Sequence, residues 1–282
     1  MRRILRFLIL LAILGYGGLV LLALMSDRVI FQPHSASYRL EDLAQAGLAG
    51  IQPLTFASGP FKLAAVYLPN PAARYTLLVS HGNAEDLGDD LPLLAELHQA
   101  GFAVFAYDYR GYGPSGGTSS GKSLYADVEA AYQYLTGNLH VAPDRVIVFG
   151  RSLGCAAAIH LSSIHSVVGL IIEAPFLSAF RVLTCIRLLP WDRFNNAAAI
   201  RRVHCPVLII HGRSDEVVPW WHGERLYQLA NPPKRNLWVD GAGHSDVLMI
   251  APQRYFEAVR DFIRLLNSGQ TTNNGQIGPS RS

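Results

Sequence analysis

Apolar residues in this chain fall into two regimes. From Ile4 to Met25 they run almost without a break (ILRFLILLAILGYGGLVLLALM), interrupted by Arg6. Beyond residue 50 they come in short blocks of strand length, at 61–68, 76–80, 102–107, 145–149, 167–173, 206–210 and 236–239. Several blocks lack the alternation of a half-exposed strand, which predicts strands buried on both faces. Helical spacing fills the intervals 89–99, 121–135, 153–163 and 221–230, with 252–266 closing the domain. Strands alternating with helices of this length predict an α/β fold, a mostly parallel sheet covered on both sides.

The first run suits a membrane. About twenty residues at a rise of ~1.5 Å each span the hydrocarbon core of a bilayer, so residues 1–26 are expected to form an uncleaved N-terminal anchor, a transmembrane helix. A cleaved signal peptide is the competing reading, but the exit LLALMSDRVIF offers no convincing cleavage site and no lipid-accepting cysteine. Arg2, Arg3 and Arg6 precede the run, while Asp27, Arg28, Arg39, Glu41 and Asp42 follow it. The basic excess at the start predicts a cytoplasmic N-terminus and an extracytoplasmic catalytic domain.

Two stretches stand apart from the alternation. Residues 27–50 read as a connector to a domain at 51–266. Residues 176–200 (FLSAFRVLTCIRLLPWDRFNNAAAI) sit between two strands and are rich in large apolar side chains, the pattern of a short lid, with an ordinary crossover helix as the alternative. The tail 267–282 lacks apolar residues for a core and reads as disordered.

Composition narrows the function. The chain has 282 residues, 50% hydrophobic and 16% charged, with a net charge of +3. No basic face for neutralising phosphates is evident, so nucleic acid is not an expected partner. Cys155, Cys185 and Cys205 form no C-x-x-C pair and no disulfide framework. They read as small buried hydrophobes, a single bridge being the alternative.

The candidate chemistry lies at strand ends. Gly150-Arg151-Ser152-Leu153-Gly154 matches G-x-S-x-G between the apolar RVIVF and the small-residue run CAAAIHL. That context fits a sharp strand-to-helix turn that thrusts a serine hydroxyl into the open. A serine needs an adjacent base, and the base a carboxylate to hold its tautomer. Asp215, in PVLIIHGRSDEVVP, follows a strand, with Glu216 as the neighbouring alternative; His244, in NLWVDGAGHSD, sits in a glycine-flanked turn. His81, His204 and His211 near other strand ends read as core or surface histidines. Backbone N–H groups of Asn83 and Leu153 are the expected oxyanion donors, each worth roughly 3–4 kcal/mol in a preorganised site. Asp108, Arg110 and Glu173 read as ion pairs bracing the neighbouring loops.

SHGNAEDLG, YDYRGYGPSGG, LYADVEAAYQYL, GRSLG, PVLIIHGRSDEVVP and LWVDGAGHSD together resemble the membrane-associated α/β-hydrolase domain-containing protein 17 branch of the α/β-hydrolase superfamily, from about residue 50 to 266. The resemblance implies an α/β-hydrolase fold and a serine hydrolase with Ser152, Asp215 and His244 in the triad positions. Members of that branch remove palmitate from cysteines of membrane proteins. This chain differs at its N-terminus, where an apolar run replaces a palmitoylated cysteine cluster.

The expected activity is hydrolysis of an ester or thioester of an acyl substrate: a small molecule, a lipid or an acylated protein at the membrane. No cofactor or metal is called for. Phe176, Leu177, Trp191, Trp220 and Trp221 are candidates to contact an acyl chain. A serine peptidase, or a non-catalytic anchored binding module, are the alternatives.

Overall fold

The computed structural model describes residues 2–24, 26–45, 48, 50–184 and 192–273. Helices α1 (Arg2–Leu24) and α2 (Ser26–Ile30) lead into β1 (Gln52–Ser58), β2 (Phe61–Leu68) and β3 (Thr76–Ser80). Next come α3 (Leu87–Gln99), β4 (Ala103–Tyr107), α4 (Gly121–Gly137), β5 (Val146–Arg151), α5 (Gly154–Ile164) and β6 (Gly169–Glu173). The chain continues through α6 (Ala179–Thr184), α7 (Asn196–Ala199), β7 (Val207–Gly212), α8 (Trp221–Leu229), β8 (Lys234–Val239), α9 (Val247–Ile250) and α10 (Pro252–Asn273).

Eight strands form one sheet in the order β1-β2-β4-β3-β5-β6-β7-β8. β2 runs antiparallel to β1 and β4, and the pairs from β4 to β8 are parallel. Every residue of β3, β4 and β6 is buried, which explains their unbroken apolar sequence: successive side chains point to opposite faces and both faces are covered. On one face Leu78, Phe105, Val148 and Ile172 pack with Val128 of α4 and Ala157 of α5. On the other, Leu77, Val104, Phe149 and Ile171 pack with Leu94 of α3 and Phe262 of α10.

The seven strands anticipated from sequence appear with ends displaced by at most two residues. β1 was not anticipated; its mixed pattern of exposed and half-buried positions is that of an edge strand, and Pro53 is tolerated there. Helix α3 starts at Leu87 because Asp86 caps it, accepting from the N–H groups of Gly88 and Asp89. Helix α10 runs to Asn273, past residue 266, and residues 274–282 lie outside the described residues.

In the 176–200 segment, α6 and α7 flank residues 185–191, which lie outside the described residues and include Cys185 and Trp191. The flanks are tied together: Ala179 N–H donates to the Arg193 carbonyl at 2.9 Å, and the Asn196 side chain to the Phe176 carbonyl at 2.9 Å. Phe176 and Leu177 are buried in the core, while Trp220 and Trp221 are half-buried. Cys155 and Cys205 are free thiols.

Helix α1 exposes its apolar surface, and over Arg2–Leu21 its mean hydropathy is 2.3 with none of it buried. It is long and apolar enough to cross a membrane, as a signal sequence can also be.

Candidate active site

The carboxyl ends of the parallel strands deliver the candidate residues, the edge where ligands bind in open α/β sheets. Ser152 follows β5 in a left-handed conformation, φ +51°, costly for a residue with a side chain. The flanking glycines make that turn possible. A Cβ on Gly150 would lie 2.4 Å from the Gly154 carbonyl oxygen, and one on Gly154 would lie 2.0 Å from that of Ser80. No side chain fits at either position, so the turn packs backbone against backbone and pushes Ser152 outward. Its N–H is tied to the Glu173 carbonyl at the end of β6, 2.9 Å away.

The acid and histidine loops lock together in the same way. A Cβ on Gly212 would meet the carbonyl oxygens of Ala242 and Gly243 at 2.3 Å. Ser214 N–H donates to the Ala242 carbonyl at 2.9 Å, and Gly243 N–H to Asp246 Oδ1 at 2.6 Å. This close approach sets Asp215, beyond β7, beneath His244, beyond β8.

The geometry joins three of the sequence-predicted residues. His244 Nε2 lies 2.9 Å from Ser152 Oγ, and His244 Nδ1 lies 2.8 Å from Asp215 Oδ2. Asp215 has no exposed side-chain surface and His244 is 18% exposed, so the histidine bridges core and solvent. Glu216, the neighbouring alternative, is exposed and takes no part.

Asp215 is held by more than His244. Its Oδ1 accepts from the N–H groups of Val217 at 2.9 Å and Val218 at 2.7 Å. Its Oδ2 is also 3.1 Å from His211 Nε2, which lies 2.9 Å from the Val218 carbonyl oxygen as well. Burial alone would raise the Asp215 pKa; hydrogen bonds from His211 and His244, the nearby His244 charge and the Val218 N–H outweigh it and hold the carboxyl well below the usual range. Both partners of His211 Nε2 are acceptors, so Nε2 carries the proton. Beside it, His222 receives the Leu177 N–H on Nδ1 at 3.2 Å and is pushed down to about 4, by burial first and then by His211 and Arg181.

His211 is the residue that sequence reasoning misses, since pattern alone makes it a plain core or surface histidine. The available signal was its position four residues before Asp215 at the end of an apolar strand. His81 does fit the plain reading: it is buried, 4.2 Å from the Tyr109 ring, with Nδ1 bonded to the Gly82 carbonyl at 2.7 Å.

Among the described residues, no hydrogen bond engages the backbone N–H of Asn83 or Leu153. The Asn83 side chain is bonded at both its nitrogen and its oxygen, and its partners lie far away in sequence. Its amide nitrogen donates to the Ile30 carbonyl at 2.6 Å; its Oδ1 accepts from Gln32 N–H at 3.1 Å and Tyr112 O–H at 2.5 Å.

The bracing residues divide by chemistry. Arg110 makes the expected ion pair, to buried Asp127, with Nε to Oδ1 at 2.9 Å. Asp108 pairs with buried His81, Oδ1 to Nε2 at 3.4 Å, and also accepts from Tyr38 O–H and the Leu87 N–H; buried Glu173 instead accepts from Tyr255 O–H at 2.9 Å. Arg151, beside the serine, pairs with Glu85 at 2.7 Å and with Asp90. Burial outweighs that guanidinium at Asp90, whose carboxyl is pushed up to about 6, with Glu85 adding to the rise. Burial also raises the Cys155 thiol well above its ordinary range, which leaves it inert behind the turn.

Comparison with known proteins agrees with this architecture. Residues 71–194 match the family model described as serine aminopeptidase, S33. The chain is 39% identical to α/β-hydrolase domain-containing protein 17C of Homo sapiens over 196 residues, 68% of this chain and 59% of that one. It is 38% identical to protein 17B of Homo sapiens over 197 residues, 69% of this chain and 68% of the relative. With the Caenorhabditis elegans protein aho-3 the match, at 39% identity, spans 59% of the relative's length. In structure the chain resembles a Pyrococcus furiosus esterase, at a TM-score of 0.69 and 19% identity over 84% of this chain and 97% of that one. It also resembles a membrane phospholipase A, at a TM-score of 0.62 and 15% identity over 95% of this chain and 99% of that one. These two likenesses are of fold. Its sequence therefore places this chain in the α/β-hydrolase domain-containing protein 17 family, with the α/β-hydrolase fold.

Proposed function

We propose that this hydrolase is a membrane-anchored serine hydrolase that cleaves ester or thioester bonds of acyl substrates. The observation that carries the reading is the continuous chain of contacts Ser152 Oγ, His244, Asp215, at 2.9 and 2.8 Å. Asp215 accepts a hydrogen bond from His244 Nδ1–H, which leaves the Nε2 lone pair facing the serine hydroxyl. Ser152 attacks the acyl carbon while Nε2 takes its proton. The tetrahedral oxyanion is received by the backbone N–H groups of Asn83 and Leu153. Nε2 then protonates the leaving alcohol or thiol, and the acyl group stays on Ser152. Water, deprotonated by the same nitrogen, releases the acid.

Helix α1 is the proposed anchor, with the catalytic domain on the extracytoplasmic side; lipids, acylated proteins and small acyl esters are the proposed substrates. The test is p-nitrophenyl ester hydrolysis and fluorophosphonate labelling of the full chain beside Ser152→Ala. Both signals are expected from the unaltered protein and neither from the variant; hydrolysis retained by the variant would remove Ser152 from the reaction. A peptidase reading draws on the aminopeptidase family match over residues 71–194. Preference for aminoacyl amides over acyl esters would favour it, and a folded protein that takes no label would point to a binding module.

A further inference from the structure

The residues after α1 do more than connect. Helix α2 ends at Ile30 with a carbonyl that has no partner within the helix, and the Asn83 amide caps it at 2.6 Å. Two residues on, the Gln32 N–H reaches Asn83 Oδ1 at 3.1 Å and the Tyr112 hydroxyl at 3.2 Å. Between them Phe31 is buried in the core, edge-on to Phe194 with ring centroids 6.0 Å apart. Phe194 in turn meets Tyr125 of α4 and Phe176. At the start of the segment, Asp27 Oδ1 accepts the Gly121 N–H that opens α4, at 3.1 Å.

Residues 27–32 thus form a strap fixed at both ends. It grips the side chain of the residue whose backbone N–H is the proposed oxyanion donor, and it seats an aromatic ring against the 192–196 flank of the possible lid. An ordinary linker needs none of these bonds. Asn83 spends both ends of its amide on the strap and on Tyr112, so its side chain is committed to holding the loop in place.

We propose that the strap is a positioning element of the active site: Ile30 and Gln32, acting through the Asn83 side chain, set the Asn83 N–H at the oxyanion position. This rests on the serine-hydrolase reading above. A donor displaced by about 1 Å can cost on the order of a hundredfold in rate, and complete loss of a donor about 10²–10³ in kcat. Binding of a short acyl ester in its ground state uses the donor far less.

The experiment uses the full chain in detergent micelles, with p-nitrophenyl butyrate as substrate and active sites counted by fluorophosphonate titration. Asn83→Ala keeps the backbone N–H and removes the grip. Gln32→Pro leaves the Asn83 side chain intact and removes the strap's N–H together with the Gln32 side chain. Both are expected to lower kcat per active site by roughly tenfold or more, with KM changed less than about twofold. Inhibition by a trifluoromethyl ketone, which mimics the tetrahedral oxyanion, is expected to weaken in step with kcat/KM. A strap that only stabilises the fold would lower the thermal midpoint and the number of active sites while leaving kcat per site unchanged, and that result overturns the proposal. Loss in Asn83→Ala with none in Gln32→Pro would assign the positioning to the loop alone and overturn it too. If the unaltered protein neither hydrolyses the ester nor takes the label, it is the serine-hydrolase reading that fails.

Discussion

Asp215→Asn is the sharpest test of the proposed chemistry, because it keeps the side chain's size and shape while removing its charge and turning one acceptor into a donor. The carboxylate receives His244 Nδ1 at 2.8 Å, His211 Nε2 at 3.1 Å and two backbone N–H groups, at 2.9 and 2.7 Å. An asparagine that keeps its oxygen toward Val217 and Val218 must turn its NH2 group toward the two imidazoles. His244 then accepts on Nδ1 and carries its proton on Nε2, aimed at Ser152 and unable to take the serine proton. A histidine held in the wrong tautomer costs about 10⁴ in kcat, or about 5 kcal/mol at 1.36 kcal/mol per decade. KM should move little, since Asp215 is buried and touches no substrate. The assay is ester hydrolysis with active sites counted separately, with circular dichroism to verify folding. A folded Asp215→Asn protein retaining more than about a tenth of wild-type kcat would refute this reasoning.

Three further outcomes follow. Ser152→Gly relieves the left-handed backbone at φ +51°, so its thermal unfolding should report a gain of about 1 kcal/mol, with hydrolysis lost; a fall in stability would contradict the strain. His211→Phe deprives Asp215 Oδ2 and the Val218 carbonyl of a shared donor and should cost about 1–3 kcal/mol in denaturant unfolding, with a several-fold loss of kcat. Asp90, pushed up to about 6, binds its proton more tightly in the folded chain than in the unfolded one. Its contribution is therefore most favourable below about pH 4 and is lost as pH rises to about 6. Asp90→Asn should flatten that part of the melting-temperature profile, and an unchanged slope between pH 4 and 6 would count against the assignment.

The sheet and the serine, acid and histidine positions were legible because each depends on local pattern. An apolar block buried on both faces, a glycine-flanked serine after it and polar loops after later blocks are all visible within a dozen residues. His211 had only a weak local signal, its place four residues before Asp215; that it shares an oxygen with His244 emerges only when β8 pairs beside β7. The Asn83 grip was hidden for a similar reason: Ile30 and Gln32 reach it across about fifty residues without any motif. Glu173 is expected in an ion pair; the structure gives it the Tyr255 hydroxyl, a choice made by packing that charge pattern alone does not encode.

The bonds at Asp215 also define what this site cannot become. An ionised carboxylate offers about four acceptor positions, and here all four are filled, two by backbone and two by imidazole. No lone pair is left for a water molecule or a substrate hydroxyl. Under the proposed mechanism Asp215 is thus sealed from the reaction, neither a second base nor a nucleophile. Asp215 therefore could not serve as one of the two independently titrating carboxylates that glycoside hydrolysis requires.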